Sequence, residues 1–239
     1  MPSFQQRSTK KELLDGDAIP FADIRRNMEE LDIINHRLGG HRITIAGMEA
    51  LTRNHPDKKR WTVAEIGCGG GDNLCAIGRW AQRKGIDIQL TGIDLNPECI
   101  AFAKSRPSNK NIHFIHSDYR HARFDEAPDI IFSSLFCHHF TDPALVEMLR
   151  WLHKESRTGF FINDLHRHPL AYHSIRLLTQ AFSKSYLVKN DAPLSVQRGF
   201  VRSDWQKLFE SAGIGAYSCQ WRWAFRWLIV YNHGTQQPV

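Results

Sequence analysis

The stretch Trp61-Thr-Val-Ala-Glu65-Ile-Gly67-Cys-Gly69-Gly-Gly71-Asp72 decides how this chain is read. An apolar run carries an acidic residue near its end, and glycines follow at alternate positions. A short apolar run bounded by glycines reads as a buried strand turning sharply into a helix. Glycines in such a turn permit positive φ and let the backbone approach a bound molecule closely. Further on, Ile88-Gln-Leu-Thr-Gly-Ile-Asp94 is a second apolar run, and it ends in a carboxylate. A carboxylate at that point of a βαβ unit commonly accepts hydrogen bonds from ribose hydroxyls. The opening unit has the pattern of a nucleoside-binding crevice.

The glycine spacing narrows this further. A dinucleotide fingerprint, Gly-x-Gly-x-x-Gly, would need its third glycine at Asp72 or at Leu74, and neither position has one. What stands there is Glu-x-Gly-x-Gly-x-Gly. Together with Asp94 and the later Ser117-Asp118-Tyr119, it resembles the ordered motifs of class I S-adenosylmethionine-dependent methyltransferases. The resemblance covers roughly residues 62–168. Within that superfamily the chain is most similar to small-molecule methyltransferases of the quinone-biosynthesis type. Leu13-Leu-Asp, Asn35-His-Arg-Leu-Gly-Gly40 and Asp191-Ala-Pro-Leu-Ser195 also resemble bacterial methyltransferases linked to type III polyketide synthases. The same residues also suit an α/β domain in which Gly71 only packs and both Asp residues cap helices.

Composition sets the outer bounds. A chain of 239 residues with 42% hydrophobic content can bury a substantial core. The expected division is an N-terminal helical cap over 1–54 and a cofactor-binding domain over 55–239. No apolar run is long enough to span a membrane, and no secretory signal opens the chain. Five scattered cysteines without a Cys-x-x-Cys pair suit free thiols in a reducing cytoplasm. The cysteine triplet of radical enzymes is also missing. Net charge +6 raises the question of nucleic acid, but the basic residues are dispersed along the chain, so a solvated surface is the expectation.

Ile24, Met28, Leu31, Ile34 and Leu38 recur at helical steps, and Gly39-Gly40 would end that helix. A second helix is expected over 43–53. From Thr62 onward strand and helix alternate, which predicts a Rossmann-like parallel sheet with helices on both faces. The strands fall at 63–66, up to Asp94, 112–115, 129–134 and 159–164. Residues 187–199 read as a loop, and Ser203 as the cap of the next helix. Segments 215–221 and 225–231 read as an antiparallel hairpin completing a seven-stranded sheet. The run Trp221-Arg-Trp223-Ala-Phe-Arg-Trp227 alternates as a hairpin does, so core packing is expected rather than base stacking.

In a doubly wound sheet the ligand lies at the carboxyl ends of the strands where the winding reverses, here between the first and fourth. The residues expected there are Glu65, Gly67, Cys68, Gly69, Gly71, Asp94, Leu95, Asp118, Tyr119 and Ser134. By resemblance, Gly67, Cys68 and Gly69 pass under the methionine part of S-adenosylmethionine. Asp94 would take the ribose, Asp118 and Tyr119 the adenine, and Ser134 the sulfonium side, with S-adenosylhomocysteine as product. Which N-terminal residue meets the cofactor carboxylate stays open among His36, Arg37, His41 and Arg42.

Methyl transfer is an in-line displacement at an activated carbon, so the protein mainly aligns the reactants. A phenolic acceptor would gain from a base, and histidine suits that role near neutral pH. His138 and His139 after strand four, with His166 and His168 after strand five, are the candidates. His166-x-His168 has no carboxylate or cysteine partner pattern, so no metal is expected.

The expected activity is cytoplasmic methylation of a small aromatic, polyketide-like or quinone-like molecule, on oxygen or carbon, in secondary metabolism, by a monomer or homodimer. The alternatives are an RNA or protein methyltransferase and a non-catalytic cofactor-binding protein of the same fold. Ser133-Ser-Leu-Phe136 stands where an adenine amino-methyltransferase would carry Asn/Asp-Pro-Pro-Tyr/Phe, and this weighs against nucleic acid.

Overall fold

The computed structural model describes residues 4–16 and 19–234. Its strands are β1 (Arg60–Ile66), β2 (Asp87–Asp94), β3 (Ile112–His116), β4 (Ile130–Ser134), β5 (Gly159–Leu165), β6 (Tyr217–Arg222) and β7 (Arg226–Asn232). They form one sheet in the order β3-β2-β1-β4-β5-β7-β6. The first five run parallel and β7 inserts antiparallel beside β5. The winding reverses between β1 and β4, the switch point outside whose carboxyl ends doubly wound sheets place their ligands. β4 is buried throughout, and β5 nearly so, as continuous apolar runs in a two-sided sheet require.

The helices are α1 (Phe21–Arg37), α2 (Gly40–Thr52), α3 (Asp72–Lys84), α4 (Pro97–Ser105), α5 (Asp142–Glu155), α6 (Pro169–Phe182), α7 (Tyr186–Arg198) and α8 (Arg202–Ala212). Two apolar cores sandwich the sheet. On one face Met48 and Leu51 of α2, Leu74 and Ile77 of α3, and Ile100 of α4 meet Phe132 and Phe161. On the other, Leu145, Met148 and Leu152 of α5 and Trp205 and Phe209 of α8 meet Phe160 and Ile162. α1 lies outside this layer, with Ile24 and Met28 against Cys99 and Phe102. Asn96 caps α4 by accepting from the backbone N–H of Glu98 and Cys99, with Pro97 at the first helical position.

Several expectations are corrected. Residues 187–199 are not a loop: α7 occupies them despite Pro193 inside it. Proline removes one helical hydrogen bond, but burial of Leu187, Val188 and Val196 outweighs it, and Ser185 caps Val188. The helix before it, α6, stops at Phe182. There Glu30 intercepts the chain by accepting from the backbone N–H of Lys184 and Ser185 and from the Ser183 hydroxyl. The cap of α8 is Val201, whose N–H donates to Asp204, not Ser203. The aromatic run divides: Trp227 is core, whereas Trp221 and Trp223 are exposed because β6 is the sheet edge and the hairpin turn projects.

Candidate functional site

The alternate glycines have a backbone reason. Gly67, Gly69 and Gly71 have φ of 67°, 49° and 73°, the left-handed region where side chains are strained. A Cβ on Gly67 would also run into the Phe136 ring. The turn is tied to β2, since Gly67 N–H and Cys68 N–H both donate to the Ile93 carbonyl. Asp94 braces it further, accepting from Gly69 N–H at 2.8 Å and from Asn96 N–H at 2.9 Å. Burial outweighs these bonds and raises the Asp94 carboxyl above its ordinary range.

Beneath the turn, Glu65 is 1% exposed. Its Oε1 accepts from Asn73 at 3.2 Å, and its Oε2 has no partner among the described residues. Burial, with Asp72 and Asp94 adding repulsion, pushes its carboxyl well up. Asp72, at the start of α3, is held the other way. Burial would raise it, but His41 Nε2 at 2.7 Å and Asn35 Nδ2 at 3.3 Å lower it. α1 and α2 therefore lock onto the glycine turn through Asn35 and His41. His36, Arg37 and Arg42 instead line a surface pocket.

The remaining predicted nucleoside contacts are spread around the rim. Leu95 is 68% exposed there. Asp118 caps the short turn after β3 and pairs with Arg120 at 2.6 Å, which holds its carboxyl low. The Tyr119 ring points into the core against Phe136, Phe140 and Trp151. Ser134 Oγ accepts from Asn163 at 3.2 Å. Leu135, the next residue, has φ 54°, and its N–H donates to the Asn163 carbonyl at 2.8 Å. The chain thus leaves β4 in a sparsely populated conformation that its neighbours hold in place.

The histidines separate into two groups. His138 is buried, and its Nδ1 lies 2.7 Å from Asp164 Oδ1. Asp164 also accepts from Leu165 N–H at 2.7 Å. Burial would raise the Asp164 carboxyl, but the His138 charge and hydrogen bond win and hold it below its usual range. His138 Nε2 stands 3.6 Å from Glu12 Oε1, and His139 Nε2 stands 3.9 Å from Glu12 Oε2. The carbonyls of His138 and His139 accept from Arg198 at 3.0 and 2.7 Å, and Arg7 adds a bond to Phe140 O. This turn is consequently clamped by α7 and by the segment 4–16. His166 lies elsewhere, packed against Trp227 and accepting from Trp221 Nε1 at 3.2 Å. Burial there, with His168 and Arg167 nearby, lowers its pKa to about 4. His168 caps α6 by accepting from Leu170 N–H.

Sequence reading missed Asp164, Glu12, Arg198 and Asn163. Asp164 had a signal, since a carboxylate near the end of a mostly apolar, buried strand must find a partner. Glu12, His138 and His139 have metal-compatible spacing, with ligand atoms within 4.8 Å of one another. Arg198 Nε is 4.0 Å from Glu12, so this cluster already contains a cation.

The matched family model, described as a methyltransferase domain, aligns with residues 63–159, from β1 to the first residue of β5. Human N-acetylserotonin methyltransferase in complex with SAM superposes with a TM-score of 0.62 at 18% identity, over 90% of this chain and 57% of that chain. The plantazolicin methyltransferase BpumL, bound to a triazolic desmethylPZN analog and SAH, gives 0.63 at 15% identity, over 87% and 91%. A possible exported protein from Bordetella parapertussis gives 0.53 at 17% identity, over 77% and 65%. The chain spans 65% of the Bordetella protein and 57% of the human enzyme. At these identities the likeness is one of fold. No curated protein matches the sequence. Among the described residues, no helix is long and apolar enough to cross a membrane.

Proposed function

We propose that this protein is an S-adenosylmethionine-dependent methyltransferase that methylates a hydroxyl of a small aromatic or polyketide-like molecule, with His138 as the base. The observation that carries this reading is the buried Asp164–His138 pair, 2.7 Å apart, on the turn that follows β4. Phe136, on the same turn, covers Gly67.

The residues of the crevice fit the cofactor. Phe136 and Met28 lie over the left-handed turn, and Glu65 Oε2 and Asn163 Oδ1 are buried acceptors without donors among the described residues. An ammonium group would supply such donors. Asp94, Leu95, Asp118 and the main chain at Ser134 would hold the nucleoside and its sulfonium side. When bound, the cofactor supplies a methyl group already activated by its positive sulfur. The protein then contributes alignment and proton acceptance.

Asp164 fixes the histidine tautomer. With Nδ1–H donating to a carboxylate held ionised, Nε2 carries the lone pair and accepts the acceptor's hydroxyl proton. Glu12 Oε1 stands 3.6 Å from that Nε2. α1 and α2 act as the cap over this end of the sheet, and Met28 and Phe136 lie over Gly69 and Gly67 with apolar surface. BpumL and the human enzyme, both methyltransferases of small molecules or peptides by name, support the substrate class.

The test uses radiolabelled cofactor with extracts of the source cells, followed by identification of the labelled product. A labelled phenol or enol whose formation His138→Gln lowers at least ~100-fold supports the proposal. Absence of cofactor binding by calorimetry sinks it, as does full activity in His138→Gln.

A further inference from the structure

α6 is an amphipathic helix turned the wrong way round. Its buried residues are Ala171 and Thr179, both small. Its large apolar side chains point outward instead: Leu170 is 63% exposed, Leu177 72% and Phe182 81%, and Leu178 is exposed as well. Leu177, Leu178 and Ala181 follow Leu170 by seven, eight and eleven residues, which lays all four along one stripe of the helix. A helix of a globular domain ordinarily buries such a stripe. A single exposed leucine is unremarkable, whereas a contiguous set marks an interaction surface.

The patch continues past the end of the helix. Glu30 of α1 accepts from the Ser183 hydroxyl and from the N–H groups of Lys184 and Ser185, and Tyr186 Oη donates to Asp23 Oδ2 at 3.4 Å. These bonds set the exposed rings of Phe182 and Tyr186 beside α1, whose Phe21 is exposed too. They also engage both of the carboxylates that α1 brings to this region. Residues 165–190 include no Asp or Glu, while Arg176 and Lys184 are exposed. On the helical wheel His173, Arg176 and Gln180 flank the stripe.

Charge decides the occupant. A second copy would meet this face about a two-fold axis, the same surface against itself. Antiparallel pairing along the stripe would set Arg176 of one copy against Arg176 of the other, with no acid on either α6 to offset them. An apolar stripe flanked by cations is instead the pattern of a helix lying in a membrane interface. Leucine and phenylalanine then enter the acyl boundary, and arginine and lysine meet anionic headgroups. We infer that α6 docks this protein on an anionic lipid surface, lying on it rather than crossing it. The docking uses none of the residues assigned to cofactor or acceptor, so it stands independently of the methyltransferase reading.

Vesicle sedimentation of the full chain tests this, with vesicles of phosphatidylcholine alone against vesicles of equal parts phosphatidylcholine and phosphatidylglycerol. Wild type is expected to bind the anionic vesicles at least ~tenfold more tightly than the neutral ones, with the difference shrinking as salt rises. Leu177→Glu combined with Phe182→Glu should weaken that binding by ~tenfold or more. Both side chains are exposed, so the double variant is expected to fold, and an unchanged melting temperature verifies it. Wild type that ignores the anionic vesicles, or binds both kinds equally, overturns the inference whatever the variant does. A folded double variant that binds as tightly as wild type overturns it too. A wild-type dimer in light scattering that the double variant dissolves, without vesicle binding, assigns the face to a second copy and removes the lipid surface.

Discussion

Asp164→Asn separates the geometry of the dyad from its charge. Asp164 is fully buried and receives Nδ1–H of His138 and N–H of Leu165, both at 2.7 Å. Asparagine keeps an acceptor oxygen but loses the charge and adds an amide that must displace one donor. A hydrogen bond to a charged group is worth about 1.5–3 kcal/mol, so a loss of about 2 kcal/mol of stability is expected. For a chain of this size that lowers Tm by about 4–8 °C. Activity should fall further, by ~10²- to 10⁴-fold in kcat, because the imidazole is no longer held with its lone pair on Nε2. Nitrogen-resolved NMR of the His138 ring should report the lost tautomer preference without any substrate. Labelled methyl transfer, with the acceptor identified from extracts, measures the rate. A folded Asp164→Asn with wild-type kcat and an unaltered His138 tautomer would refute the dyad.

Asp94→Ala removes the acceptor for the N–H groups of Gly69 and Asn96. S-Adenosylhomocysteine binding should weaken by at least ~tenfold in calorimetry, about 1.4 kcal/mol. Gly67→Ala forces a side chain onto a residue with φ 67° and into the Phe136 ring. It should cost upward of ~2 kcal/mol in denaturant titration, and a neutral result would contradict a left-handed, ring-covered turn. Glu65→Gln should stabilise the apo protein increasingly as pH rises from about 5 to 8. A carboxyl whose folded pKa is raised loses stability as pH climbs above its unfolded value of 4.5, and glutamine removes that loss. Melting curves showing no pH-dependent gain would count against it. Conversely, Asp72 and Asp164 have lowered pKa values, so their stabilisation is present above about 3.8 and disappears below it. Unfolding should therefore set in as pH falls through that range.

The region from β1 to β5 was legible because its signals are local. Strands buried on both faces appear as apolar runs, and glycines mark the turn that needs positive φ. Asn96-Pro97 announces a cap, and α4 does start at Pro97. Where the signal was not local, reading failed. Residues 187–199 read as a loop, yet packing holds α7 together around Pro193. Trp221 and Trp223 differ from Trp227 only in how much of the sheet covers them, a property of strand order that no short window contains. Among four candidate histidines, type and position could not separate His138 from His166. The difference lies in a carboxylate 26 residues away in one case and a tryptophan 55 residues away in the other.

The doubly wound sheet and its left-handed glycine turn were readable from the chain alone, because each follows from backbone sterics and burial periodicity over a few neighbouring residues. Only the tertiary structure decided which groups become chemically competent. Asp164 on His138 and Glu12 facing both histidines depend on segments far apart in the chain. Burial and charge set their protonation, and both are properties of the assembled fold.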